Sequence, residues 1–283
     1  MKKRSSSLEK RRSRSGYLFV LPWVIGFAAF QLWPMYKSFM LSFSKVTSVS
    51  GLKTAWIGWE NYKAVFADVD FLPAFWNTLW TTVLYTPFII VISLVIAILL
   101  NRKIKGRGVF RVIFFLPVLL GSGAVMAQLG NAANIMQLPP SIEQYVNYYF
   151  NSDIANFINQ ILEQIVRVFW KTGVQIIIFL GGLQSISDSY YEAAKVDNAN
   201  AWDMLWKITL PMLSPLMYLN VIYTVIDSFR SESNEISSLI INQVYEYSNY
   251  SYGSAMGWIY FVISFSVVLL ATLIFRRYVY YEK

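Results

Sequence analysis

Six stretches free of charged residues punctuate the chain: Ser15–Tyr36, Phe71–Asn101, Val112–Ile142, Thr172–Ser187, Ile208–Ile226 and Tyr247–Phe275. A helix that crosses the hydrocarbon core of a bilayer takes about 20 mostly apolar residues. Five of the stretches reach that length or nearly so. The fourth does when Arg167 and Lys171 lie near one interface, where long basic side chains snorkel to water. The pattern therefore predicts spanning helices over 17–43, 74–101, 109–130, 163–185, 209–229 and 255–276. The expected class is an all-α integral membrane protein with about six transmembrane helices, preceded by a basic, Ser-rich tail over 1–14 and occupying 15–283 as one transmembrane domain.

Basic residues then orient the spans, because cytoplasmic loops of membrane proteins carry the excess of Lys and Arg. With the N-terminus inside, the cytoplasmic segments hold 17 of the 24 basic residues but six of the 16 acidic ones. Both termini are expected in the cytoplasm. The net charge of +8 is then a topology signal and calls for no nucleic acid. The N-terminus has the basic-then-apolar look of a signal peptide, but the run continues through Trp23, Trp33 and Pro34 without a small-residue cleavage site. It reads as a retained first span.

Composition narrows the chemistry. The chain is 56% hydrophobic and 14% charged, with a mean hydropathy of +0.44, far from a soluble domain's quarter of charged residues. Cys and His are absent. That removes thiolate and imidazole metal sites and every Ser-His or Cys-His nucleophile. No catalytic or metal-binding residues are expected. The phosphate-loop pattern G-x-x-x-x-G-K-[ST] is absent too, so the chain carries no nucleotide site of that kind.

The most structured polar segment is the loop at 185–207, on the cytoplasmic side. Ser187 or Asp188 is a sound N-cap, with acidic residues near the positive end of a short helix. Glu192, Ala193 and Ala194 favour helix. Asp197 and Asn198 end it, since Asn tolerates the left-handed conformation found past helix ends. A second short helix is expected to carry Trp202, Leu205 and Trp206 on one side, and Pro211 to sit in the first turn of span five. Pattern alone leaves two readings open: an ordinary connector with an interfacial helix, or a compact element that docks into another protein.

Here the sequence resembles a known family. Glu192-Ala193-Ala194, two residues, Asp197, one residue, Ala199, then Ile208-Thr209-Leu210-Pro211 and Pro215, is similar to the EAA motif of ABC importer permeases. Trp56-Ile57-Gly58-Trp59-Glu60-Asn61-Tyr62 leading to Phe75-Trp76-Asn77-Thr78-Leu79 resembles the sugar-permease branch, of the maltose and glycerol-phosphate importer type. So do Lys105-Gly106-Arg107-Gly108-Val109-Phe110-Arg111 with Phe114-Phe115-Leu116-Pro117, and the start from Leu18 through Trp33-Pro34 to Ser42-Phe43. The resemblance implies a type I ABC importer permease fold. Its loop over 185–207 would be a cytoplasmic coupling helix, with Glu192, Ala193, Ala194, Asp197, Asn198 and Ala199 against an ATPase. Asn198 stands where the family usually has Gly. The implied partners are a second permease in a heterodimer, a cytoplasmic ABC ATPase dimer that binds ATP and magnesium, and an extracellular or lipid-anchored solute-binding protein. The implied site is a bacterial or archaeal plasma membrane, with no cofactor in this chain.

Polar residues inside spans are costly and usually face a bundle interior or cavity. Arg167, Lys171 and Gln175 recur every four residues and so share one helical face. Asn220, Tyr223, Thr224 and Asp227 form a second stripe, and Asp227 is expected to pair with Lys171 or Arg167. Trp170, Tyr218 and Tyr223 would supply the aromatic faces that bind sugars. The same residues also suit plain interhelical contact. The aromatic stretches 131–160, uncharged except for Glu143 and Asp153, and 231–254 fit either helices on the outer surface or belts at the headgroups. Two other classes compete with the importer subunit. A secondary transporter calls for interrupted helices and membrane-embedded acids, of which Asp227 is the sole one near a span. A membrane enzyme calls for clustered His, Cys or carboxylates, which the spans lack. The cargo expected from the resemblance is an oligosaccharide, neutral or acidic.

Overall fold

The computed structural model describes residues 17, 19–48, 53–102, 106–120, 138–230 and 234–277. The tail 1–14 lies outside the described residues. The described residues are helical almost throughout. In order, the elements are α1 (Phe19–Ser42), β1 (Ser44–Ser48), β2 (Lys53–Trp56), α2 (Glu60–Phe66), α3 (Phe71–Asn101), α4 (Arg107–Leu120), α5 (Pro140–Tyr149), α6 (Ser152–Lys171), α7 (Gly173–Ser185), α8 (Asp188–Val196), α9 (Ala201–Met204), α10 (Leu210–Arg230), α11 (Glu235–Tyr245) and α12 (Tyr250–Arg276). α1, α3, the helical run that begins at Ala201, and α12 are long and apolar enough to cross a membrane. α6 and α7 together make a fifth crossing if the bent pair is one span. Of the span expected over 109–130, the described part is α4, and 121–130 lies outside it.

The chain divides into two compact units, Met1–Trp76 with Glu232–Ile263 and Asn77–Ser231 with Ser264–Lys283. In the first, the one departure from all-helical structure among the described residues is the antiparallel pair β1–β2, in which Ser44 faces Trp56 and Lys45 faces Ala55. Its root is an aromatic cluster. Phe43 stacks on Trp56 at 5.4 Å, meets Trp59 edge-to-face at 5.0 Å and lies tilted against Tyr62 at 5.0 Å. Asn61 clamps the hairpin by donating from Nδ2 to the carbonyls of Ser42 (2.8 Å) and Ser44 (2.9 Å). Gly58, at φ +65°, turns the chain into α2, a conformation that costs glycine nothing. Below lies a core of Val65, Phe71, Ala74, Ile236, Ala255, Met256 and Ile259. Asp68 starts α3 by accepting from the N–H groups of Asp70 and Phe71 and from the hydroxyl of Tyr252. Partial burial works against its ionisation, but these three donors outweigh it and hold the Asp68 carboxyl below its ordinary value of 3.8.

In the second unit, α3, α7 and α10 meet in a core of Ile90, Ile96, Ala97, Leu100, Ile176, Phe179, Leu180, Leu183, Ile186, Leu213 and Val221. Gly182 sets the approach of α7 to α10: a Cβ there would stand 2.1 Å from Leu216 Cδ1 and 2.8 Å from Leu213 Cδ2. α3 also buries Thr82, Thr86 and Ser93. Thr86 and Ser93 return their hydroxyl protons to the carbonyls of Thr82 and Ile89, which satisfies polar groups where no water is at hand.

One expectation is corrected and another refined. The span expected as one helix over 163–185 is instead α6 and α7, which begin at Ser152 and bend by 52°. Thr172 tightens the last turn of α6, its N–H and its Oγ1 both bonded to the Phe169 carbonyl (3.2 and 2.7 Å), and Gly173 follows. Pro211 stands in the first turn of α10, as expected, but α10 does not begin after a loop. The chain is helical from Ala201 onward, and a π turn, Leu205–Thr209, precedes it. A helix-interior proline removes an i→i−4 bond and its ring crowds the carbonyl four residues back. Widening the turn relieves that crowding, and Leu210 N–H bonds to the Leu205 carbonyl five residues back.

Candidate coupling loop and transport pathway

The loop over 185–207 folds as the sequence predicts through its first helix. Ser187 caps α8, its hydroxyl accepting from the Ser189 N–H at 3.4 Å, and Asp188 stands in the first turn with Lys195 in the last, each complementing the helix dipole. Asn198 sits at φ +57°. Around it, Ala199 N–H bonds to the Ala194 carbonyl (2.9 Å) and Asn198 N–H to the Lys195 carbonyl (3.1 Å). This paired closure is the Schellman motif, which needs a left-handed residue at the position Asn198 occupies. Asn200 then caps α9 by accepting from the Asp203 N–H at 2.8 Å.

α8 presents two faces. Glu192, Ala193, Asp197 and Asn198 are exposed, and Ala194 and Ala199 half-buried. Val196, an apolar side chain, is 84% exposed. On the other face Tyr191 packs against the core of α3, α7 and α10, and its hydroxyl lies 3.0 Å from Thr209 Oγ1. Trp202 and Trp206 share one side of the next helical stretch, as expected, with ring centroids 5.6 Å apart and both largely exposed; Leu205 is half-buried. Lys207 and Asp203 pair at 2.7 Å on the surface, a contact that water screens to little net stability.

The polar stripes come together in part. Gln175, Asn220 and Thr224 are buried and joined: Gln175 Nε2 donates to Thr224 Oγ1 (2.9 Å), Thr224 Oγ1 to the Asn220 carbonyl (2.8 Å) and Asn220 Nδ2 to the Gln175 carbonyl (3.4 Å). Lys171 feels the charge of Asp227, and Asp227 that of both Lys171 and Arg230. Arg167 also acts on Lys171, as a like charge, and makes no ion pair with Asp227 among the described residues. It pairs with Glu163 one turn back at 3.1 Å. The bend at Thr172–Gly173 leaves Arg167 and Lys171 on α6 and puts Gln175 on α7, so the three do not lie along one continuous helix. Trp170, Tyr218 and Tyr223 are each half-buried, on α6 and α10. Tyr191, Arg230 and the Asn200 cap were not singled out from sequence, and Thr209 only as a member of the motif. An Asn two residues before a Trp-Asp pair is a readable cap signal, whereas the hydroxyl pair emerges only once the chain is folded. Upstream, α5 folds back on α6, with Asn159 Nδ2 donating to Asn147 Oδ1 at 3.1 Å, and it exposes Tyr145, Tyr148 and Tyr149.

These features define a polytopic membrane protein whose inner helices are bound by buried polar contacts and whose longest structured loop is a capped, exposed helical pair. The chain belongs to the family of binding-protein-dependent transport system inner membrane components, which matches residues 64–282. It is 30% identical to the probable ABC transporter permease protein YesP of Bacillus subtilis, over 99% of this chain and 96% of that one. It is 28% identical to the arabinooligosaccharides transport system permease protein AraP of the same organism, over 90% and 86%, and 27% to the trehalose/maltose transport system permease protein MalF of Thermococcus litoralis, over 96% and 98%. Its fold matches a chain in the crystal structure of a bacterial ABC transporter involved in the import of the acidic polysaccharide alginate, with a TM-score of 0.70 at 23% identity, over 96% and 99% of the two chains.

Proposed function

We propose that this chain is one of two permease subunits lining the path of an ATP-driven oligosaccharide importer, fed by a solute-binding protein and powered by a separate ATPase. The observation that carries the coupling role is α8. It is anchored on one side by Tyr191 and offers Glu192, Ala193, Val196, Asp197 and Asn198 on the other, ending in a turn closed by two backbone hydrogen bonds. Both termini and the loop 185–207 lie in the cytoplasm, as the basic residues require, so this face meets the ATPase that holds ATP and magnesium. The relatives named for arabinooligosaccharide and trehalose/maltose transport support a carbohydrate cargo. The second permease makes a heterodimer with this chain, and the binding protein docks outside.

The test is reconstitution of this chain with its partner permease, ATPase and binding protein in vesicles. Uptake of a labelled oligosaccharide should require ATP and every partner; uptake by this chain alone on an ion gradient would overturn the reading. Glu192→Ala and Asn198→Pro should weaken retention of the ATPase while leaving membrane insertion intact.

The pathway is assigned to the faces of α6, α7 and α10 that carry Arg167, Trp170, Lys171, Gln175, Tyr218, Asn220, Tyr223 and Asp227. A second reading, an acidic cargo, is favoured by Lys171, which makes no ion pair within 4 Å among the described residues, and by the alginate importer's shared fold. Replacing Arg167 and Lys171 by Gln should then impair uptake of charged sugars and spare neutral ones. Equal loss of both would rule it out.

A further inference from the structure

We infer that Tyr191 and Thr209 form a positioning strut that ties the coupling helix α8 to the π turn at the root of α10. Displacement of α8 by the ATPase is thereby delivered to α10 instead of being absorbed in the loop. The inference rests on the coupling role proposed above for α8.

The covalent route from α8 to α10 is poorly suited to carrying force. It runs through the left-handed turn at Asn198, the extended residue Asn200 and the four-residue helix α9. The strut bypasses all of it, joining residues 18 apart in sequence. Thr209 is buried, and its hydroxyl donates to the Met204 carbonyl at 3.1 Å. With that proton committed, Tyr191 O–H is the donor to Thr209 Oγ1 at 3.0 Å. The three groups form a directed chain, Tyr191 to Thr209 to Met204, in which each bond polarises the next.

The far end of the chain is the π turn itself. Met204 is the residue at which α geometry gives way to the π turn Leu205–Thr209, and Pro211 follows with no N–H to give to the Lys207 carbonyl. This is the least regular stretch of the helical run, and π turns concentrate at functional sites. Through Thr209 the phenol of Tyr191 bears on that stretch, while its ring is wedged against the core formed by α3, α7 and α10. A contact needed for packing alone would be met by the ring. The hydroxyl pair adds direction: it fixes where α8 stands relative to the turn that α10 pivots from.

The test uses the whole complex in vesicles, with this chain, its partner permease, the ATPase and the binding protein, and a labelled mixture of neutral and acidic oligosaccharides as the probe. Tyr191→Phe and Thr209→Val each remove one hydroxyl and keep the shape. ATP hydrolysed and sugar taken up are both measured per assembled complex. The expected result is retained ATPase, hydrolysis within twofold of wild type, and transport per ATP lowered at least fivefold. Thr209→Ser should restore it, and the double variant should be no worse than either single one. Unchanged transport per ATP in both single variants would overturn the strut, as would uptake and hydrolysis falling together with the amount of complex. A wild-type complex that hydrolyses ATP without uptake would overturn the functional reading, and this inference with it.

Discussion

Asn198 offers the sharpest quantitative test of the loop, because a single dihedral angle decides its geometry. At φ +57° an ordinary L-residue brings its Cβ against the following carbonyl, at a cost of roughly 1–2 kcal/mol. Asn escapes much of that through its short polar side chain, and Gly escapes all of it. Asn198→Ala should therefore shift the closed turn towards its open form by a factor of about 5–30. The two hydrogen bonds that close the turn, from the N–H groups of Asn198 and Ala199, should loosen together, since one left-handed residue serves both. Amide hydrogen exchange on the protein in lipid nanodiscs reads this directly. Exchange at positions 198 and 199 should quicken by that factor in the Ala variant and more in Asn198→Val, where a β-branched side chain is a genuine outlier at positive φ. Asn198→Gly should stay within about threefold of wild type. Amides of Val221 and Thr224 in α10 should not change in any of them, which separates local opening from global loosening. If the Gly and Ala variants open equally, the dihedral argument is wrong and side-chain contacts of Asn198 hold the turn.

Three further outcomes follow from packing and charge. Gly182→Ala places a methyl group 2.1 Å from Leu216 Cδ1 and should cost about 1–3 kcal/mol by overpacking; thermal denaturation in nanodiscs should show it, and a midpoint equal to wild type would mean that α7 and α10 move apart freely. Thr224→Val strands the amide of Gln175, now bonded to Thr224 at 2.9 Å, at a cost of about 1–3 kcal/mol. Adding Gln175→Met should recover much of that loss, because it removes the orphaned group. Asp68, held below its ordinary value of 3.8, stabilises the first unit fully above that value and loses the contribution as pH falls through its folded pKa. Resistance to proteolysis at the Asp68–Tyr252 contact should hold from pH 7 to about 5 and fall towards pH 3; Asp68→Asn should be weaker at neutral pH and flat across the range.

Hydropathy made the spans legible, because a spanning helix announces itself through length and apolarity within a local window. The loop was legible for a similar reason: caps, helix formers and a left-handed Asn act on their immediate neighbours, and Ser187, Glu192 to Ala194 and Asn198 took the places their chemistry favours. The failures share a cause of the opposite kind. Strands β1 and β2 are short, and their pairing depends on Phe43 meeting Trp56, Trp59 and Tyr62 across a turn. The face shared by Arg167, Lys171 and Gln175 assumed an unbroken helical period through Thr172–Gly173, where the helix bends instead. Pro211 took its expected place in the first turn of α10, but the π turn that precedes it rests on Thr209 and Tyr191, which lie on different elements. Within the pathway, the buried bonds among Gln175, Asn220 and Thr224 were legible as residue types but not as partners.

The π turn at Leu205–Thr209 also bears on how this loop tolerates change over evolutionary time. A π turn is one residue more than an α-helix would use, and one residue of helix is a rotation of about 100°. Deleting a residue there would restore a plain α-helix and leave the faces before it, Trp202 and Trp206 included, aimed nearly as they now are relative to α10. Deleting one from the regular helix beyond the π turn would instead swing those faces by about 100°. The π turn is thus the place where this helical run can lose a residue without re-aiming the loop.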